Sequence, residues 1–352
     1  MKNPINCIGL MSGTSLDGLD ICYVRFDSDN SFEILQTEGI EYSSAMKNQL
    51  KEAYQLSAMQ LCELDVKFGY YLGEKVKLFV DKNQIEHLDF VASHGQTIFH
   101  QPDKNFTLQI GNGAAISSKC QQRVICDFRT QDVILGGQGA PLVPIGDELL
   151  FNEYDACLNL GGFSNISMNR GGKRIAFDIC PINIVLNHYA NQLGLDYDKD
   201  GENASKGNVH SDLVEKLNQL DFYQQSFPKS LGFEWVEKEF LTIVEKYELS
   251  IEDKLISCIE HMVFQLKNIY EEYDINKVLI TGGGVRNKLL INLLKDNSSI
   301  ELIIPNDNLI DFKEALIFAF LGYKRFLNQV NCLSSVTGAI KDHSSGIIYE
   351  VV

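Results

Sequence analysis

The chain has 352 residues, with 31 Lys+Arg against 47 Asp+Glu and a formal charge of −16. With 45% hydrophobic and 22% charged residues it can bury a sizeable core, which excludes a disordered chain and a disulfide-stapled miniprotein. So acidic a chain lacks the electrostatic footprint of a nucleic-acid or anionic-membrane binder, although a small anionic ligand needs only local positive potential. The nine cysteines stand singly, without Cys-x-x-Cys and mostly in apolar runs, and read as reduced thiols of a cytoplasmic protein. No signal-peptide pattern is visible, and no apolar run approaches the ~18 residues of a membrane span.

In chain order, residues 5–26 read as two strands around a Gly/Ser/Thr/Asp turn, with a third strand at 32–37. Ser43 and Ser44 are N-cap candidates for a helical stretch to about 82. A strand at 88–93 ends in Ser93-His94-Gly95-Gln96-Thr97, and one at 106–110 ends in Gly111-Asn112-Gly113. A helix at 114–120, a strand at 123–126, a Gly-rich loop at 136–141 and a helix at 144–151 follow. At Tyr154 the pattern restarts: strand 156–160, the turn Gly161-Gly162-Phe163-Ser164-Asn165, a return strand from 166 and a third strand at 174–178. Helices at 183–192, 211–220, 234–247 and 251–273 precede a strand at 277–281, which runs into Gly282-Gly283-Gly284. A helix at 287–294, a strand at 301–305 and a helix at 311–327 close the chain. The same succession thus occurs twice, which predicts two similar α/β domains with a ligand cleft between them, polar loops lying at strand ends.

The P-loop, the Rossmann fingerprint, His-Glu-x-x-His and the Gly-x-Ser-x-Gly elbow are all absent. The turn at Gly13, Thr14 and Ser15 can converge backbone N–H groups and hydroxyls on an anion, with Asp17 placed for a divalent cation; it also reads as a plain hairpin turn. Gly161 to Asn165 occupies the matching place in the second half, and the pairing points to an ATP clamp. Three glycines at 282–284 let a flat ring approach the backbone. Asp178, at a strand end, suits a general base and equally a cap for the helix at 183. His94 and His100 read as hydrogen-bonding loop residues. Arg129 could fork onto a carboxylate or phosphate, or form a surface ion pair with Asp132.

Together these segments resemble the 1,6-anhydro-N-acetylmuramic acid kinase family. The match rests on Gly9-Leu-Met-Ser-Gly-Thr-Ser-Leu-Asp-Gly18, Ser93-His-Gly-Gln-Thr97, Gln109-Ile-Gly-Asn-Gly113, Asp127-Phe-Arg129 and Gly136-Gly-Gln-Gly-Ala-Pro-Leu-Val-Pro144. It continues through Asn159-Leu-Gly-Gly-Phe-Ser-Asn-Ile166, Phe177-Asp178, Asp198-Lys-Asp-Gly201, Gly282-Gly-Gly-Val-Arg-Asn287, Lys313-Glu-Ala315 and Ser335-Val-Thr-Gly338, in order along nearly the whole chain. The resemblance implies the sugar kinase, Hsp70 and actin superfamily: an α/β fold of two ribonuclease-H-like domains (the actin-like ATPase fold) with an ATP cleft between them. The first domain is expected over residues 1–152, with the helix at about 311–328 packing back on it, and the second over 153–352.

The resemblance also implies the chemistry. ATP and Mg²⁺ would serve to hydrolyse the 1,6-anhydro bond and phosphorylate O6, giving N-acetylmuramic acid 6-phosphate in cell-wall recycling, with Asp178 as the base. Gly13, Thr14, Ser15 and Asp17 are expected to hold phosphate and Mg²⁺, Asp17 directly or through water. Gly162 and Asn165 would face them, and Gly283 and Gly284 would lie under the adenosine. His94, Gln96, Thr97, Arg129 and Glu314 would line the sugar side, and a homodimer is expected. The sequence departs from the family twice. Its usual Asp-Thr-Gly-Pro-Gly-Asn is Asp178-Ile-Cys-Pro-Ile-Asn183 here, and Lys-Ser-Thr-Gly-Arg-Glu is Lys229-Ser-Leu-Gly-Phe-Glu234. Two alternatives follow from these changes, a non-catalytic ATP- or sugar-binding sensor and a kinase for a different sugar.

Overall fold

A computed structural model describes residues 4–13 and 16–351. The chain divides into two units, one of residues 1–150 with 312–352 and one of residues 151–311. Its strands are β1 (Ile5–Ser12), β2 (Gly18–Phe26), β3 (Phe32–Glu41), β4 (Phe90–Ser93), β5 (Gln96–Gln101), β6 (Phe106–Ile110), β7 (Val124–Cys126), β8 (Ala156–Leu160), β9 (Phe163–Arg170), β10 (Lys173–Pro181), β11 (Lys277–Thr281), β12 (Glu301–Ile303) and β13 (Ile347–Tyr349).

In the first unit the sheet order is β13-β7-β4-β1-β2-β3, with β5 and β6 as a separate pair. β1, β2 and β3 form an antiparallel meander, and β4 and β7 run parallel to β1 on its other side. In the second unit the order is β10-β9-β8-β11-β12, again an antiparallel meander followed by two parallel strands. Each unit therefore carries the ribonuclease-H arrangement, and its doubling within one chain is the organisation of the actin-like ATPase fold.

The pattern of burial explains why each unit holds together. In the first, Ser57 and Gln60 form a capping box for the helix Ala58–Lys82, whose Leu64, Phe68, Leu72, Val76 and Phe79 share one buried core with Ile8, Leu10, Leu19 and Ile21 of the sheet. That cap breaks the expected single stretch to residue 82 into two helices, the first being Ser44–Glu52, capped by Ser43. The helix Asp307–Phe326 lies so close over β1 that a Cβ at Gly9 would overlap the Ala315 carbonyl. In the second unit the helix Ile251–Glu272 is buried along much of its length, against β10 and the helices Asn183–Gln192, Ser211–Asn218 and Lys288–Asn297.

The expectation that the second domain runs to residue 352 is corrected. Residues from Phe312 onward pack with the first unit, and β13 closes its sheet by pairing antiparallel with β7. The return strand β9 begins at Phe163, so the turn from β8 is Gly161-Gly162 alone. The described cysteines are all free, and only Cys62 is exposed. No helix among the described residues is long and apolar enough to cross a membrane.

Candidate active site

In the first unit the strand ends carry a wired polar cluster. His94 follows β4, and its Nδ1–H donates to the Gly95 carbonyl at 2.8 Å, leaving Nε2 to accept from Arg129 Nε at 3.0 Å. Burial and the neighbouring guanidinium push the His94 pKa down to about 3, so the ring stays neutral and in one tautomer. The ring lies tilted against Phe318, with centroids 4.6 Å apart and planes 57° apart. Arg129 also donates from Nη1 to the Gly139 carbonyl at 2.7 Å, and the charge of Glu314 offsets part of what burial takes from its pKa. Glu314 is exposed on the helix Asp307–Phe326; displacement of bulk water raises its pKa, and Arg129 and Lys313 pull it back. Gln96, at the head of β5, is buried and accepts from the Ser12 hydroxyl, which also meets Tyr42 at 2.7 Å. Thr97 accepts from Gln109 Nε2 at 3.3 Å.

The turn between β1 and β2 presents Gly13 and an exposed Asp17. Thr14 and Ser15 lie outside the described residues. The Asp17 backbone carbonyl takes the Tyr42 N–H at 3.2 Å, and no bond among the described residues occupies its carboxylate. A free carboxylate oxygen suits a hard cation such as Mg²⁺.

In the second unit a polar rung crosses the sheet. Asp178 on β10 pairs with Asn165 on β9, Asn165 with Asn159 on β8, and Asn159 with Thr281 on β11. Directly after Asp178 the β9–β10 register shifts, so Ile179 is skipped, and the Ser164 hydroxyl bridges the bulge by accepting from Cys180 N (3.0 Å) and donating to Cys180 O (2.9 Å). The segment 229–231 grips Asp178 by backbone alone: Asp178 N donates to the Lys229 carbonyl at 3.1 Å, and Leu231 N donates to Asp178 Oδ2 at 2.8 Å. Burial raises the Asp178 pKa to about 6, against the lowering effect of the Leu231 N–H.

The glycines divide by surroundings. A Cβ at Gly162 would meet nothing, and one at Gly283 would meet only Asn183 Nδ2 at 3.8 Å; both glycines are exposed. Gly284 is buried, and a Cβ there would press on Leu160, so packing accounts for it.

Two sequence readings change. Asp178 does not cap the helix Asn183–Gln192; Ile182 stands at that position with no side-chain cap bond. Asp132 is not a surface partner of Arg129: it is fully buried, accepting from Gly139 N at 2.7 Å and Thr337 Oγ1 at 2.8 Å. The altered loop needs no positive φ, since neither Cys180 nor Ile182 adopts one, and Ile179, Cys180 and Ile182 all enter the second unit's core. Sequence reasoning passed over the rung residue Asn159, whose signal was its place six positions before Asn165 across a two-glycine turn.

The sequence profile described as anhydro-N-acetylmuramic acid kinase matches residues 5–351. The chain belongs to the anhydro-N-acetylmuramic acid kinase family. Relatives of that name include proteins from Sulfurimonas denitrificans (30% identity, covering 97% of this chain and 99% of that protein) and Francisella tularensis subsp. novicida (34%, 95% of each). Another is from Haemophilus influenzae (34%, 98% of each). Membership makes the chain a kinase.

Proposed function

We propose that the protein uses ATP to phosphorylate O6 of 1,6-anhydro-N-acetylmuramic acid while water opens the anhydro bridge, giving N-acetylmuramic acid 6-phosphate for cell-wall recycling in the cytoplasm. Asp178 carries this reading: a carboxylate with a pKa of about 6, held by one backbone N–H on a rung of asparagines. Such a group is ionised at neutral pH yet basic enough to accept a proton. In the proposed step Asp178 takes a proton from water as the oxygen bonds to C1. The C1–O6 bond breaks, O6 bonds to the γ-phosphorus, and ADP leaves with the bridging electron pair. The Asp178 proton then passes to solvent.

On this reading Arg129, with Nε and Nη1 used within the chain, keeps Nη2 for a sugar oxygen or the lactyl carboxylate. His94 holds that guanidinium in place, and Gln96, Thr97 and Glu314 complete the sugar side. Gly13, Thr14, Ser15, Gly162 and Asn165 take the phosphates, and Gly283 and Gly284 the adenosine. Mg²⁺, held by Asp17 directly or through water, would neutralise phosphate charge. The family resemblance also implies a homodimer, which sedimentation of the pure chain tests. The buried places of Ile179 and Ile182 weigh against the sensor reading.

The deciding experiment measures ADP release with anhydro-N-acetylmuramic acid, N-acetylmuramic acid, N-acetylglucosamine or no sugar, in ¹⁸O-labelled water. Release that requires the anhydro sugar and puts one ¹⁸O at C1 supports the proposal. Release only with another sugar would make this a kinase of different specificity. ATP binding without release under any condition would make it a sensor.

A further inference from the structure

The segment beyond the last long helix packs into the first unit around three side chains that the proposed reaction does not use. Asp132, Cys332 and His343 are 0%, 2% and 6% exposed. One ligand atom from each lies within 4.8 Å of the other two. Asp132 belongs to the short helix Thr130–Ile134, which follows Arg129. Cys332 and His343 are bridged by their own backbones, Cys332 N donating to His343 O at 3.1 Å and His343 N to Cys332 O at 3.2 Å.

The orientation of the imidazole is the informative feature. His343 Nδ1 sits 3.1 Å from the Lys341 carbonyl, so the ring hydrogen belongs on Nδ1. That leaves Nε2 buried, without a hydrogen-bond partner and 3.5 Å from Asp132 Oδ1. A lone pair facing a carboxylate in a dry interior is repulsive unless positive charge lies between them. The 3.5 Å spacing is long for an N–H···O bond. It is close to the ~3.4 Å edge of a tetrahedron built from metal–ligand bonds of about 2.1 Å.

The surroundings fit the same reading. The Asp132 carboxylate is fixed from outside by Gly139 N and Thr337 Oγ1, and His343 by the Lys341 carbonyl. These are the kinds of outer contact that orient metal ligands.

We propose that Asp132, Cys332 and His343 form a buried site for one divalent cation of borderline softness, with Zn²⁺ the best match to mixed S, N and O donors. Binding forms bonds from Cys332 Sγ, His343 Nε2 and an Asp132 carboxylate oxygen, and the thiol proton leaves to solvent. The thiolate and carboxylate together offset the ion's two charges, so the buried site is neutral, and no electron is transferred. The ion's role is to tie the C-terminal segment to the loop after Arg129. Gly139 in that loop donates to Asp132 and accepts from Arg129.

The test counts metal in the full chain, produced without an affinity tag and desalted, beside Cys332→Ser and His343→Gln. We expect about one equivalent of zinc in the wild type and less than about a tenth in either variant. Wild-type protein from cells supplied with Co²⁺ in place of zinc should show thiolate-to-cobalt absorption in the near ultraviolet, and Cys332→Ser should lack it. This measurement needs only the wild type, so a variant that fails to fold leaves the proposal exposed to refutation. A wild-type chain with less than about a tenth of an equivalent and no cobalt band would mean that a proton alone sits between His343 and Asp132, and would overturn it. Full zinc content in both variants would overturn it as well.

Discussion

In the first unit, a guanidinium and a neutral imidazole are bonded to each other and to backbone carbonyls on both sides. In the second, a single carboxylate rests on one backbone N–H at the edge of a bulge. The same physical cause, loss of water, acts on both and favours the uncharged form of each. It pushes His94 down to about 3, far from any working pH, and Asp178 up to about 6, within reach of it. Desolvation therefore locks one group and poises the other, and what separates them is the partner: a fixed positive charge beside His94, a lone N–H beside Asp178. The first cluster is built to hold a shape, the second to move a proton.

The largest effect expected from this contrast is at Asp178. Asp178→Asn keeps an oxygen to accept the Leu231 N–H but cannot take a proton. ADP release in the presence of sugar should fall by ~10³-fold with ATP binding intact. Turnover within threefold of wild type would remove Asp178 from the proposed role. Next comes Arg129. Arg129→Ala strands a buried His94 Nε2 and the Gly139 carbonyl, so kcat/KM for the sugar should drop by ~10²-fold and stability by ~2 kcal/mol. Arg129→Lys should do little better, because one ammonium cannot serve both acceptors and still present an Nη2 edge. If the lysine variant matches wild type in steady-state kinetics, the first cluster is not a geometric clamp.

A third, smaller effect is in pH. If Asp178 must be ionised, kcat/KM should fall tenfold per unit below about pH 6 and level off above it. The stability consequence runs the other way. Because the folded pKa is raised from 3.8 to about 6, the native state holds a proton that the unfolded chain has already released. The contribution is present below 3.8 and is lost as pH rises through about 6. Asp178→Asn should then match wild type at the acid end and exceed it by ~1–2 kcal/mol above neutrality, after allowing for residual exposure. Chemical denaturation at both ends of the window checks this. An asparagine variant less stable than wild type above neutrality would show that burial is not what raises this carboxyl.

The sequence was most legible where structure is local. The strand at 277–281 lies where its apolar run and closing glycines indicated, and the doubled order of elements yields two sheets of matching topology. It was least legible where distant segments meet. The short β13 has no periodicity to detect, and it gains its place by pairing with β7 more than two hundred positions earlier. Asp132 read as a surface charge because its partners, Gly139 and Thr337, are supplied by a loop and by the C-terminal segment. The departures around the base looked disruptive as text. In the fold, Ile179 and Ile182 turn into the core, and the segment 229–231 grips Asp178 through backbone atoms that any side chain provides. Motif letters report side chains, and here part of the motif's work is done by main chain.

The smallest predicted effect separates ligand approach from packing in the second unit's glycines. A methyl at Gly162 meets no atom and the residue is exposed, so Gly162→Ala should melt within about 1 °C of wild type. If the proposed phosphate contact needs the backbone bare, KM for ATP should nonetheless rise several-fold with kcat nearly unchanged, as expected for lost ground-state binding. Gly284→Ala supplies the opposite case. Its methyl would fall 2.9 Å from the Leu160 Cβ and carbonyl oxygen, so stability should drop by ~1–3 kcal/mol. Any kinetic change in that variant would follow from the shifted turn. If Gly162→Ala keeps the wild-type KM, the turn after β8 is a tight hairpin and no more, and phosphate recognition in this unit must rest on the Asn165 side of the rung.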